Sequence, residues 1–78
     1  MTDLEKYKNA FMEGLEIAAE EVEGASMGTC AKWDSIGQMS LIAVLEDAFG
    51  IEFEPDEVMA FTSYDEGLAI LRKRGIEI

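Results

Sequence analysis

Trp33-Asp34-Ser35-Ile36-Gly37-Gln38-Met39-Ser40-Leu41-Ile42 is the stretch whose reading decides the fold. Asp34 is a strong N-cap residue, because its carboxylate accepts from N–H groups that the first turn of a helix leaves unpaired. Behind it, Leu41, Ile42, Leu45, Ala48 and Phe49 supply a broad apolar face at helical spacing. Gly50 is the natural residue to follow the last turn. The stretch therefore reads as a loop that hands over at Ser35 to an amphipathic helix ending near Phe49. A serine at such a junction holds out a hydroxyl for chemical modification.

Working outward, the N-terminal segment carries Leu4, Tyr7, Phe11, Leu15 and Ala18 at steps of three or four residues. This predicts a helix over about 3–19. Thr2 and Glu5 have the spacing of a capping box, and Gly14 weakens the helix by about 1 kcal/mol relative to Ala. A connection over 20–33 follows, rich in the loop formers Gly24, Ser26, Gly28 and Thr29. Val22, Met27 and Trp33 are expected to pin it to the core. Trp33 reads better as a hydrophobic anchor than as a ligand-stacking ring. After Gly50, Pro55 opens a short helix over about 55–60. Ser63 and Glu66 form a second capping box ahead of a last helix. Leu68, Ile70 and Leu71 face inward there, Arg72, Lys73 and Arg74 complement its C-terminal dipole, and Gly75 stops it. The expected fold is all-α: a small four-helix bundle of three longer helices and one short one, in a single domain over 1–78.

Composition excludes whole classes of function. The 78 residues contain 17 acidic and six basic side chains, for a net charge of −11. Between Glu13 and Glu66 the one basic residue is Lys32. Such a field repels nucleic acid and anionic membranes and attracts basic protein surfaces. No apolar run approaches the roughly 18 residues of a membrane span. The first residues lack the basic and apolar regions of a secretory leader, so a cytoplasmic location is expected. The absence of His removes Ser–His and Cys–His dyads and His-based metal sites. No calcium loop of the Asp-x-Asp-x-Asp-Gly type is present either. No catalytic or metal-binding residues are expected. Cys30 is the one cysteine and reads as a reduced bystander.

The order Trp-Asp-Ser-Ile-Gly, an apolar helix, Leu45-Glu46-Asp47-Ala48-Phe49-Gly50-Ile51-Glu52-Phe53, Pro55-Asp56-Glu57 and Thr62-Ser63 before a last helix resembles an acyl carrier protein. The likeness runs from about Lys32 to Gly75, and the first helix fits by position and pattern. Ile36 stands where the family's Asp-Ser-Leu motif has Leu. The resemblance implies a stand-alone, monomeric, non-enzymatic carrier. Ser35 would take covalent 4′-phosphopantetheine from coenzyme A, with Asp34 beside it at the cofactor site. The arm's thiol would carry acyl groups as thioesters between enzymes of fatty acid, polyketide or related biosynthesis. The implied partners are a phosphopantetheinyl transferase and acyl-activating, acyl-transfer and synthase enzymes with basic docking patches. The implied docking residues are Asp34, Ile36, Gln38, Met39, Ala43, Glu46 and Asp47.

Gly37 and Ser40 stand where many fatty-acid carriers have acidic residues, so the first turns of this helix are more apolar and point to a non-housekeeping variant. Met39 reads equally as a docking contact and as core packing. The family also tucks acyl chains between its helices. The candidates to line such a cavity are Leu41, Ile42, Leu45, Phe49, Phe53, Met59, Phe61, Leu68 and Leu71, residues that would form the core of any four-helix protein. Two alternatives remain at this stage: an aminoacyl or peptidyl carrier of a specialised pathway, and an unmodified acidic helical adaptor.

Overall fold

In a computed structural model that describes residues 2–78, five helices follow one another: α1 (Asp3–Leu15), α2 (Ala19–Val22), α3 (Ser35–Phe49), α4 (Pro55–Ala60) and α5 (Tyr64–Lys73). Three are long, as expected, and no strand occurs among the described residues. A single antiparallel bridge, Ser26 to Ser63, ties the connection to the entry of α5. The Met27 N–H donates to the Thr62 carbonyl (2.9 Å) and the Tyr64 N–H to the Ala25 carbonyl (3.0 Å) on either side of it.

The helix starts follow local chemistry. The Glu5 N–H donates to Thr2 Oγ1 (3.1 Å) and the Thr2 N–H donates to Glu5 Oε1 (3.2 Å), which completes the capping box of α1. Ser63 caps α5 through the Glu66 N–H (3.1 Å), but the reciprocal half expected from Glu66 is not formed. Gly50 ends α3 in the left-handed region (φ 65°).

Helix α1 stops four residues earlier than its periodicity predicts. Glu16 takes a left-handed conformation (φ 54°), which rotates the chain out of helical register. Ile17 then enters the core in place of Ala18, which is exposed. A one-turn helix, α2, forms inside what the sequence presents as loop, with the Glu21 carboxylate accepting from the Ala18 N–H (3.1 Å). Val22 and Trp33 anchor the connection as expected, but Met27 is 39% exposed and Ala25 is the third buried anchor.

Helices α1 and α3 make the main crossing. A Cβ placed on Gly14 would lie 2.8 Å from the Leu41 Cα. The glycine that weakens α1 as an isolated helix is what lets the two backbones meet. Around this crossing the core is largely aromatic. Phe11 meets Tyr7 (4.9 Å), Trp33 (5.3 Å) and Tyr64 (5.6 Å) edge to face, and Trp33 meets Phe61 in the same manner (6.0 Å). The buried Tyr7 hydroxyl donates to the Tyr64 carbonyl (2.6 Å), and burial raises its pKa well above the ordinary phenol value.

Helix α4 is attached differently. None of its residues is buried, and Met59, an expected cavity residue, is 79% exposed. Arg74 holds it instead, through Glu57 Oε1 and Oε2 and the Glu52 carbonyl. The guanidinium also lies over the Phe53 ring (5.4 Å). This partner keeps the Glu57 carboxyl below its ordinary pKa. Of the other expected cavity residues, Leu41, Ile42, Leu45, Phe61 and Leu71 are buried. Phe49, Phe53 and Leu68 pack half-buried against them.

Candidate functional site

Asp34 ends the loop in an extended conformation and caps α3. Its Oδ1 accepts from the Gly37 N–H and its carbonyl from the Gln38 N–H, both at 2.8 Å. These two bonds leave the N–H groups of Ser35 and Ile36 without a partner among the described residues, as the first helical positions require. Ser35 and Ile36 are both exposed. The serine hydroxyl therefore stands in solvent beside two free donors, at the positive end of a 15-residue helix.

The loop ahead of Ser35 lies close over this turn. A Cβ on Gly37 would collide with the Lys32 carbonyl and come within 3.1 Å of Leu15 Cδ2. Only glycine lets the loop fold down here, which explains Gly37 at a position where the resemblance offers an acidic residue. Trp33 is buried, and its indole N–H donates to Gln38 Oε1 (2.6 Å). The other end of the same amide donates to the carbonyls of Val58 (2.8 Å) and Phe61 (3.1 Å). The junction is thus fixed from the loop side by Trp33 and from the helix side by Gln38.

The expected docking residues divide. Ile36 (76%) and Met39 (74%) are strongly exposed, and Ala43 and Asp47 also face solvent. Exposure of Met39 removes the reading of it as core. Gln38 is a correction: it is 8% exposed and committed to three internal hydrogen bonds, so it is not a docking side chain. Glu46 is half-buried, and its carboxylate accepts from the Phe53 N–H (2.9 Å), so it shapes the α3–α4 loop. Two sequence signals mark Gln38 in retrospect. It lies three, four and seven residues before Leu41, Ile42 and Leu45, on the same stripe of the helix. It also lies five residues after a tryptophan whose buried N–H requires an acceptor. Asp34 is exposed, but its Oδ1 is taken up by the cap. Cys30 is half-buried in the connection.

Residues 32–69 match the family model for the phosphopantetheine attachment site. This match supports a carrier domain of the acyl carrier protein family. The matched segment takes in the junction, all of α3 and α4, and the first part of α5. No curated protein matches the chain. The family match indicates a covalently attached 4′-phosphopantetheine group. The α3 junction fits the phosphate of such a group: two unpartnered N–H donors and the helix dipole favour an anion there. Within the first turn of α3 there is no acidic residue, and the neighbouring Asp34 carboxylate is engaged by the Gly37 N–H. A carrier domain implies interaction with transferases and acyl-handling enzymes, and such domains are typically non-catalytic. No helix among the described residues is long and apolar enough to cross a membrane.

Proposed function

We propose that residues 1–78 act as one carrier domain and that Ser35 is the residue that accepts 4′-phosphopantetheine. The observation that carries this reading is the exposed Ser35 hydroxyl beside the free N–H groups of Ser35 and Ile36, inside the matched segment. The Ser35 oxygen attacks the phosphorus that bears the pantetheine arm. The diphosphate bond of coenzyme A breaks, adenosine bisphosphate leaves, and the serine proton passes to a base on the transferase. Ser35 needs no activating neighbour of its own, which suits a chain without His. Once attached, the arm supplies a thiol that holds an acyl group as a thioester.

Partner enzymes dock on the exposed side of α3. Ile36 and Met39 offer an apolar patch, and Asp34 and Asp47 offer charge to a basic enzyme surface. From Ser35 to Leu45 the helix carries no charged residue. This supports a client other than a fatty acid synthase that reads acidic residues close to the serine. A polyketide-type or other specialised pathway in the cytoplasm, with acyl or aminoacyl cargo, suits it better. Loading assays with acyl- and aminoacyl-activating enzymes separate the two cargoes.

The direct test is intact mass after incubation with coenzyme A and a broad-specificity phosphopantetheinyl transferase. Wild type should gain one phosphopantetheine and Ser35→Ala none. Failure of folded wild type to gain mass would instead leave an unmodified acidic adaptor.

A further inference from the structure

Gln38 makes three internal hydrogen bonds, two buried and one partly buried, that join two parts of the molecule with no other described polar link between them. Its Oε1 accepts from Trp33, two residues before Ser35. Its Nε2 donates to Val58 inside α4 and to Phe61 just beyond it. The amide uses both of its donor protons and one acceptor lone pair there, a set that among the side chains only the shorter Asn also carries. Helix α4 has no fully buried residue of its own, and among the described residues its side-chain polar attachments to the rest of the molecule are this amide and Arg74. Met39 follows Gln38 and Met59 follows Val58, and both are exposed by about three quarters. A partner that presses on either methionine therefore presses on a residue next to the same hydrogen bond.

We propose that Gln38 is a positioning residue for modification of Ser35. It locks the Trp33–Ser35 turn to α4, so that the hydroxyl is presented in one place and its placement depends on where α4 sits. The proposal rests on Ser35 being the attachment residue. Holding a reacting group in a fixed geometry is a large part of catalysis, and a displacement of about 1 Å costs up to about a hundredfold in rate. The docking face itself, Ile36 and Met39, does not include Gln38. Loss of the lock should therefore lower the rate of transfer within the complex and leave formation of the complex alone.

Gln38→Met keeps the volume and removes all three bonds. Trp33→Phe removes one bond and leaves the α4 pair. Both are assayed as transferase substrates with coenzyme A, at a temperature where circular dichroism shows them folded. The expected result is that kcat falls about tenfold in Gln38→Met, with KM within about twofold of wild type. Trp33→Phe should show a smaller fall in kcat, and the double variant no further loss beyond Gln38→Met. A merely structural role would lower the melting temperature and leave kcat of the folded protein untouched, which overturns the proposal. So does a change confined to KM. Should Gln38→Met fail to fold, Trp33→Phe decides by the same criterion. If wild type gains no phosphopantetheine, or Ser35→Ala gains it equally, the attachment reading fails. Modified wild type with equally active variants defeats the positioning role alone.

Discussion

Helices α3 and α4 are neighbours in sequence and are held by different physics. Helix α3 buries Leu41, Ile42 and Leu45 against α1 and the aromatic core, and its first eleven residues carry no charge. Helix α4 has no fully buried residue, packs only Val58 partly against the core, and sits in a run of acids, Glu52, Glu54, Asp56 and Glu57, held by Gln38 and Arg74. Apolar packing is insensitive to pH and salt over ordinary ranges. Charged hydrogen bonds on a surface are sensitive to both. The molecule thus presents Ser35, the proposed attachment residue, on a fixed helix beside one whose attachment can be tuned.

The largest effect should come from cutting into the fixed side. Leu45→Ala removes most of a fully buried side chain and should cost about 2–5 kcal/mol. That is a large fraction of the stability of so small a domain. Met59→Ala on α4 should stay within about 0.5 kcal/mol, because Met59 is 79% exposed. Urea titrations of the two variants measure the contrast. Equal shifts of the midpoint would mean that α4 is built into the core after all.

Much of this division was legible in the sequence, for a physical reason. The starts and stops of α3 and α4 depend on local signals, the Asp34 cap, Gly50 and Pro55, and the approximate bounds these give agree with the structure. The end of α1 did not, because a left-handed Glu16 is a tertiary choice: it swaps Ala18 for the larger Ile17 in the core. The junction at Ser35 is legible because a helix start is local. Gln38 falls among the docking residues that the resemblance implies, and its burial is not legible locally because it depends on partners 20 and 23 residues away.

A smaller effect should separate the helices in acid. Arg74 holds the Glu57 pKa below its unfolded value, so this pair stabilises the fold above the unfolded carboxylate range. The contribution is lost as the pH falls from the unfolded carboxylate range through the depressed value. Hydrogen exchange of α4 amides should accelerate there before that of α3. In Glu57→Gln, exchange should already be faster at neutral pH and change less on acidification. Parallel acceleration of both helices would show that the clasp does not control α4.

The smallest effect tests the charge itself. A net charge of −11 on a molecule 30 × 27 × 19 Å across stores repulsion that favours expansion. At about 0.1 M salt the screening length is near 10 Å, so repulsion between opposite sides of the molecule is removed first. The melting temperature should rise by a few degrees between low and moderate salt, since about 1 kcal/mol moves a domain of this size by about 4–8 °C. Residue by residue, the gain should concentrate in α4. The Arg74–Glu57 attraction is screened by the same salt, but the four acids over Glu52–Glu57 outnumber the two cations that act on Glu57, Arg74 and Lys73, so relief of repulsion is the larger change. The uncharged stretch Ser35–Leu45 has nothing to screen. Amide exchange at two salt concentrations reads this directly: slower exchange with salt in α4 and little change in the first turns of α3 is expected. A uniform response along the chain would assign the repulsion to the whole surface and remove the electrostatic distinction between the two helices.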